Sequence, residues 1–142
     1  MPLSPAVRLC LPLLSALALL PQAAAAAAAA PPPYQHAWDT GATPAALETW
    51  VYGKLKRADE AIAKLNAVQG ARTVDNTLAP YDEALAALVD AQAESQLLYG
   101  VGATKELRDK AQALTQSASA ALTALNLNPQ VYKALSAVPT PE

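Results

Sequence analysis

The chain has 142 residues, a formal net charge of −2, 53% apolar residues, 5% aromatics and no Phe. That length has room for one domain, and the lack of any basic run excludes the electrostatic footprint of a nucleic-acid binder. Much of the apolar fraction is alanine, whose burial contributes far less than that of leucine at about 0.8 kcal/mol per CH₂. The core is therefore expected to be thin, and the domain marginal unless something else packs on it.

Residues 1–30 read as an export signal. Arg8 supplies the positive start, Leu9 to Leu20 the apolar stretch, and the alanines from Ala23 onward satisfy a small-x-small cleavage rule. Cys10, the only cysteine, falls inside this segment, so the mature chain is expected to have no thiol, no disulfide and no cysteine metal site. The preceding Val7-Arg8-Leu9 does not suit a lipobox. An uncleaved membrane anchor is the alternative. Pro12, Pro21 and Gln22 interrupt it, and the strongly apolar part is shorter than the ~20 residues a span requires. A periplasmic or secreted location follows, with no stable membrane insertion after cleavage. From Pro31 onward nine Lys/Arg stand against twelve Asp/Glu, scattered along the chain, and this balance selects no partner.

Residues 31–42 read as an extended linker opened by Pro31-Pro32-Pro33, followed by a helical domain over 43–138 and a short tail over 139–142. The first helix is expected to start with Thr43 as N-cap and Pro44 at the first position. Leu47, Trp50, Val51, Leu55, Ala58, Ile62 and Leu65 then recur at steps of three and four, forming one apolar stripe. Lys56, Glu60 and Lys64 stand four apart on another face, and Gly70 is a natural stop. A second stripe runs through Val74, Leu78, Tyr81, Leu85, Leu88 and Val89, capped by Thr73 with Asn76 three residues on. Pro80 inside that helix demands a kink or a later start, and Gly100 and Gly102 close it. The third stripe is Leu107, Ala111, Leu114, Ala118, Ala121, Leu122 and Leu125, capped by Thr104 and carrying the i,i+4 pairs Lys105–Asp109 and Glu106–Lys110. A short fourth helix opens at Asn128-Pro129 and carries Val131, Tyr132 and Leu135. No strand pattern appears. The expected fold is all-α, an antiparallel bundle of three long helices plus a short fourth.

Catalytic chemistry is hard to build from these residues. His36 is the only histidine and lies in the linker beside Trp38, so neither a Ser-His-Asp set nor a histidine metal site can be assembled around it. Gly100-Val101-Gly102 reads as a helix break and not as a phosphate loop. The adjacent acids Asp59-Glu60 and Asp82-Glu83 point about 100° apart on a helix and read as solvated faces. Tyr34, Tyr52, Tyr81, Tyr99 and Tyr132 are dispersed and read mostly as packing residues with a wet hydroxyl. No catalytic, cofactor-binding or metal-binding residue is assigned.

One stretch exceeds generic helix chemistry. Arg72-Thr73-Val74-Asp75-Asn76-Thr77-Leu78-Ala79-Pro80-Tyr81-Asp82-Glu83-Ala84 resembles a segment of the thimet-oligopeptidase-like zinc metallopeptidases, family M3. Lys105-Glu106-Leu107-Arg108-Asp109-Lys110-Ala111 and Val131-Tyr132-Lys133-Ala134-Leu135 resemble two further segments of that family, in the same order. The resemblance implies a wholly helical fold around a channel, of which this region would be part of the wall. It also implies cleavage of short peptides by a zinc ion on a later His-Glu-x-x-His helix. None of those catalytic positions exists in this chain, so zinc is expected only in a missing carboxy-terminal catalytic part, which would be the principal partner.

The residues and the resemblance fit two main functional classes. The first is the non-catalytic front of an exported zinc oligopeptidase, inactive by itself, with short peptides as substrates of the full-length protein. The second is a self-contained periplasmic helical bundle that binds a protein or peptide; a bundle tethered by an uncleaved amino-terminal segment is a third, weaker reading.

Overall fold

The computed structural model describes residues 34–139. The export-signal segment 1–30, the three prolines opening the linker and residues 140–142 lie outside the described residues. Four α-helices make up the domain, and no strand occurs among the described residues.

The first helix, α1, spans Pro44–Ala67. Thr43 stays extended and its Oγ1 accepts the Ala46 N–H at 3.2 Å, with Pro44 placed where a missing N–H is harmless. The helix ends three residues before Gly70, which takes the left-handed backbone (φ 86°) of the connection.

The conflict at Pro80 is settled by a later start. Thr73 and Asn76 form a reciprocal cap over a wide π turn, Val74–Leu78, in which the Ala79 N–H reaches back to the Val74 carbonyl. The second helix, α2, then spans Ala79–Val101 and holds Pro80 in its first turn. Gly102 caps its end with the Gly102 N–H on the Leu98 carbonyl at 2.9 Å. A Cβ at this position would lie 2.5 Å from the Leu98 carbonyl oxygen, so space requires glycine here. Gly100, by contrast, is inside the helix with open space around it.

The third helix, α3, spans Lys105–Asn126 from Thr104, whose Oγ1 accepts the Leu107 N–H. The fourth, α4, spans Pro129–Ser136, with Asn128 Oδ1 accepting the N–H groups of Gln130 and Val131.

Helix α2 packs on both α1 and α3, α1 also touches α3, and α4 lies against α1 and the π turn. Two buried clusters fix the alternating directions. Leu47 and Val51 near the start of α1 meet Ala91 and Leu98 near the end of α2 and Leu107, Ala111 and Leu114 near the start of α3. At the other end Ala58 and Ala61 meet Ala84, Ala87 and Leu88, together with Leu125 and Val131. The core side of the α1 and α3 stripes is as the periodicity predicts, with Ala61 joining the α1 stripe.

The α2 stripe departs from expectation. Val74 is 59% exposed and Val89 44% exposed, and the buried side of α2 is Ala84, Ala87, Leu88, Ala91, Glu94, Ser95 and Leu98. Alanine and leucine occur on every side of this helix, so no polar face marks its outside. Its outward side carries Ala86, Val89, Ala93, Leu97 and Val101, all exposed, at helical spacing. No helix among the described residues is long and apolar enough to cross a membrane.

The charged pairs are partly rearranged. Lys56–Glu60 (3.5 Å) and Lys105–Asp109 form within their helices. Lys110 instead reaches Glu48 on α1 at 3.0 Å, and Lys64 reaches Glu83 on α2 at 3.9 Å. Contacts across the bundle thus take two of the cations that sequence spacing pairs within one helix.

Candidate functional site

The described part of the expected linker, 34–42, is no free-standing tether. It folds one 3₁₀ turn, Ala37–Thr40, closed by the Gly41 N–H on the Trp38 carbonyl and by the His36 N–H on Asp39 Oδ2. The turn is docked on the bundle through a single carboxylate. Glu94, only 8% exposed, receives three donors from this strap: Tyr34 Oη at 2.7 Å, His36 Nδ1 at 3.0 Å and the Ala37 N–H at 2.6 Å. Ala37 itself is fully buried in the cluster of Leu47, Val51, Ala91 and Leu98. Trp50 Nε1 donates to the Gln35 carbonyl at 3.0 Å and fixes the backbone one residue before His36.

Three charge-assisted hydrogen bonds are what a buried carboxylate needs to offset its lost hydration. The aromatic rings close the arrangement from outside. His36 stacks on Trp38 (centroids 4.3 Å apart, 9° between planes) and meets the Tyr34 ring edge-on at 4.7 Å. Lys54 Nζ lies 4.6 Å from the Tyr34 centroid and 4.9 Å from that of Trp50 while binding Asp90 at 2.7 Å. Burial first, then the Glu94 hydrogen bond and the nearby Asp90 and Glu94 charges, push the Tyr34 phenol well above its ordinary value.

The contact between His36 Nδ1 and Glu94 Oε1 holds the imidazole ring in one orientation. An Nδ1–H donated to the carboxylate selects the tautomer whose Nε2 holds the lone pair. Proton transfer at Nε2 would need a reacting group beside it, and the ring's neighbours here are Trp38 and Tyr34. Among the described residues no group of three or more His, Cys, Asp or Glu side chains converges to hold a metal ion. What the three donors and the Glu94 carboxylate do here is bind and position the strap.

Beside the strap, a groove of about 610 Å³ runs between α1 and α2. Tyr34 forms part of its wall, Lys54 and Arg57 line the α1 side, and Asp82, Glu83 and Asp90 line the α2 side. Arg57 Nε holds Glu83 at 3.0 Å, so the groove offers paired charges of both signs over alanines 79, 86 and 87. Asp82-Glu83 is therefore split between an exposed acid and a paired, half-buried one. In Asp59-Glu60 both acids are exposed, as a solvated face requires. The tyrosines are wetter than expected: Tyr52, Tyr99 and Tyr132 are 52%, 46% and 74% exposed. Tyr81 does pack on the lower core cluster.

The segments that carry the family resemblance form corners of the bundle. Arg72 Nη1 donates to the Leu65 carbonyl at 2.7 Å and so caps the end of α1. Asn76 Oδ1 accepts from the Thr73 N–H and the buried Thr77 hydroxyl, while its Nδ2 donates to the Ala71 carbonyl. Arg108 Nη1 donates to the Gly102 carbonyl at 2.7 Å and ties the start of α3 to the end of α2. In the third segment Val131 and Ala134 are buried and Tyr132 faces outward. These residue types are accounted for by helix ends and turns.

The α2 stripe read from the sequence omits Glu94, although its spacing carries a signal. Glu94 lies three residues after Ala91 and four before Leu98, on the buried side of α2. No family model matches the chain, and neither the curated proteins nor the solved structures contain a match.

Proposed function

We propose that the chain is the amino-terminal, non-catalytic helical part of an exported zinc-dependent oligopeptidase. Peptide hydrolysis would then belong to residues outside this sequence, which would also supply the zinc site. The observation that carries the reading is the bare outward side of α2, where Ala86, Val89, Ala93, Leu97 and Val101 stand exposed on a helix that elsewhere sits between two neighbours. An exposed apolar side of this length on a helix suits contact with a further part of a larger helical body. The three ordered segments, Arg72 to Ala84, Lys105 to Ala111 and Val131 to Leu135, supply the family.

The test is the mass and activity of the native protein in the exported fraction, detected with an antibody against residues from Thr43 onward. A product several times larger than 14.7 kDa, with chelator-sensitive cleavage of short peptides, is the expected result. A product of about 12 kDa, the size left after signal removal, without that activity would end the peptidase reading. The docked strap and the two-signed groove beside it favour the second reading in that event, a periplasmic bundle that binds a protein or peptide.

A further inference from the structure

We propose that residues 34–42 are an exchangeable strap, and that a second copy of this chain can supply its strap to the Glu94 socket, giving a domain-swapped dimer. The contacts that hold the strap are separable from the rest of the fold. Glu94 takes the Tyr34 hydroxyl, the His36 ring and the Ala37 N–H, and Trp50 takes the Gln35 carbonyl. All of these acceptors and donors recognise the strap as they would recognise a short extended peptide, and an identical strap from another copy satisfies them equally.

The hinge favours exchange. Gly41 and Ala42 both adopt left-handed backbone, at φ 107° and 43°, immediately before the Thr43 cap that fixes the start of α1. Ala42 is the one non-glycine residue with positive φ among the described residues. Only two residues therefore reverse the chain, and one of them carries a Cβ where glycine is preferred. Opening the reversal relieves Ala42 and lets residues 41–43 extend over about 10 Å, which projects the strap away from its own bundle. Short hinges under strain are the usual origin of exchanged elements.

An empty socket is not a stable end state. Withdrawal of the strap would take all three of these donors from Glu94 and uncover the apolar seat of Ala37, which is 0% exposed. The opened chain is thus driven to refill the site with another strap. A short tether holds the strap near its own socket at an effective concentration on the order of millimolar. The unmodified chain is accordingly monomeric at micromolar concentration and dimerises toward millimolar.

The experiment is light scattering after size-exclusion chromatography of the exported chain across that concentration range, with far-ultraviolet circular dichroism to confirm the helical fold. Ala42→Pro cannot adopt the left-handed angle. It is expected to lower the dimer dissociation constant roughly 100-fold, about tenfold for each of the two hinges. Ala42→Gly keeps the reversal without strain and is expected to remain monomeric throughout. Adding Glu94→Leu to Ala42→Pro should abolish the dimer, which separates strap exchange from association through the bare side of α2. A folded Ala42→Pro chain that stays monomeric, or a dimer indifferent to Glu94→Leu, overturns the proposal. Deleting Ala42 shortens the reversal and applies the same test in the event that Ala42→Pro does not fold.

Discussion

Replacing Glu94 by Gln and by Leu separates the two things its carboxylate supplies, acceptor positions and charge. In Glu94→Gln the amide oxygen can take the Ala37 N–H, while the amide nitrogen can donate to the Tyr34 oxygen and to a His36 ring that has switched tautomer. Shape and pairing survive, and only charge assistance is lost, about 1–2 kcal/mol. Glu94→Leu keeps the bulk and removes every acceptor. The Ala37 N–H then loses its Glu94 acceptor in a buried site, at about 1–3 kcal/mol, while the partly exposed Tyr34 and His36 recover much of their loss from water. With the charge-assisted bonds gone as well, the expected loss is about 3–4 kcal/mol. At roughly 4–8 °C per kcal/mol for a domain of this size, thermal melts followed at 222 nm should fall by about 5–15 °C for Gln and at least about 12 °C for Leu. Tryptophan fluorescence should report the strap separately, because Trp38 and Trp50 both belong to its contacts. A Leu variant as stable as the parent, with unchanged fluorescence, would refute the assignment of Glu94 as the anchor.

Three further outcomes follow from other contacts. Gly102→Ala places a Cβ against the Leu98 carbonyl and should destabilise by about 2 kcal/mol or more, whereas Gly100→Ala in open helix should stabilise by roughly 0.5–1 kcal/mol; paired urea titrations distinguish them. Ser95 is fully buried and its hydroxyl has no hydrogen-bond partner among the described residues, so Ser95→Ala should be neutral or stabilising by about 1 kcal/mol in the same titrations. The Tyr34 phenol is raised in the fold, so the folded state holds that proton more tightly than the unfolded state does. Its contribution is complete below the unfolded value of about 10 and is lost as pH rises beyond it. Melts between pH 8 and 11 should therefore drop more steeply for the parent than for Tyr34→Phe, and equal slopes would argue against the bond to Glu94.

What the sequence reveals and what it hides divide by range. Helix starts are local, and Thr43-Pro44, Thr104 and Asn128-Pro129 mark them because each cap is decided within four residues. The conflict at Pro80 is also visible locally, although not its resolution by a π turn. The inside of α2 is harder to see, because alanine and leucine surround the helix and the periodicity loses contrast. Val74 and Val89 are drawn into the stripe for that reason, and Glu94 is passed over. The strap is hidden for a further reason. Prolines and a lone histidine look like a linker until a carboxylate 58 residues away faces His36. Pairing at that separation leaves no short-range pattern. The exchange of ion-pair partners by Lys64 and Lys110 has the same origin.

The composition of the core sets which sequence changes this domain can absorb. Among the described residues nine of the eighteen buried apolar residues are alanines, and seven of them sit where α1, α2 and α3 meet. In an interior filled by leucine or phenylalanine, damage comes chiefly from trimming a side chain and leaving a hole. Here the dominant hazard is growth. A valine or leucine at Ala61, Ala84, Ala91, Ala111 or Ala118, each 0% exposed, would wedge helices apart. Drift in this protein is accordingly one-sided, open at the surface and closed to added bulk along the alanine seams.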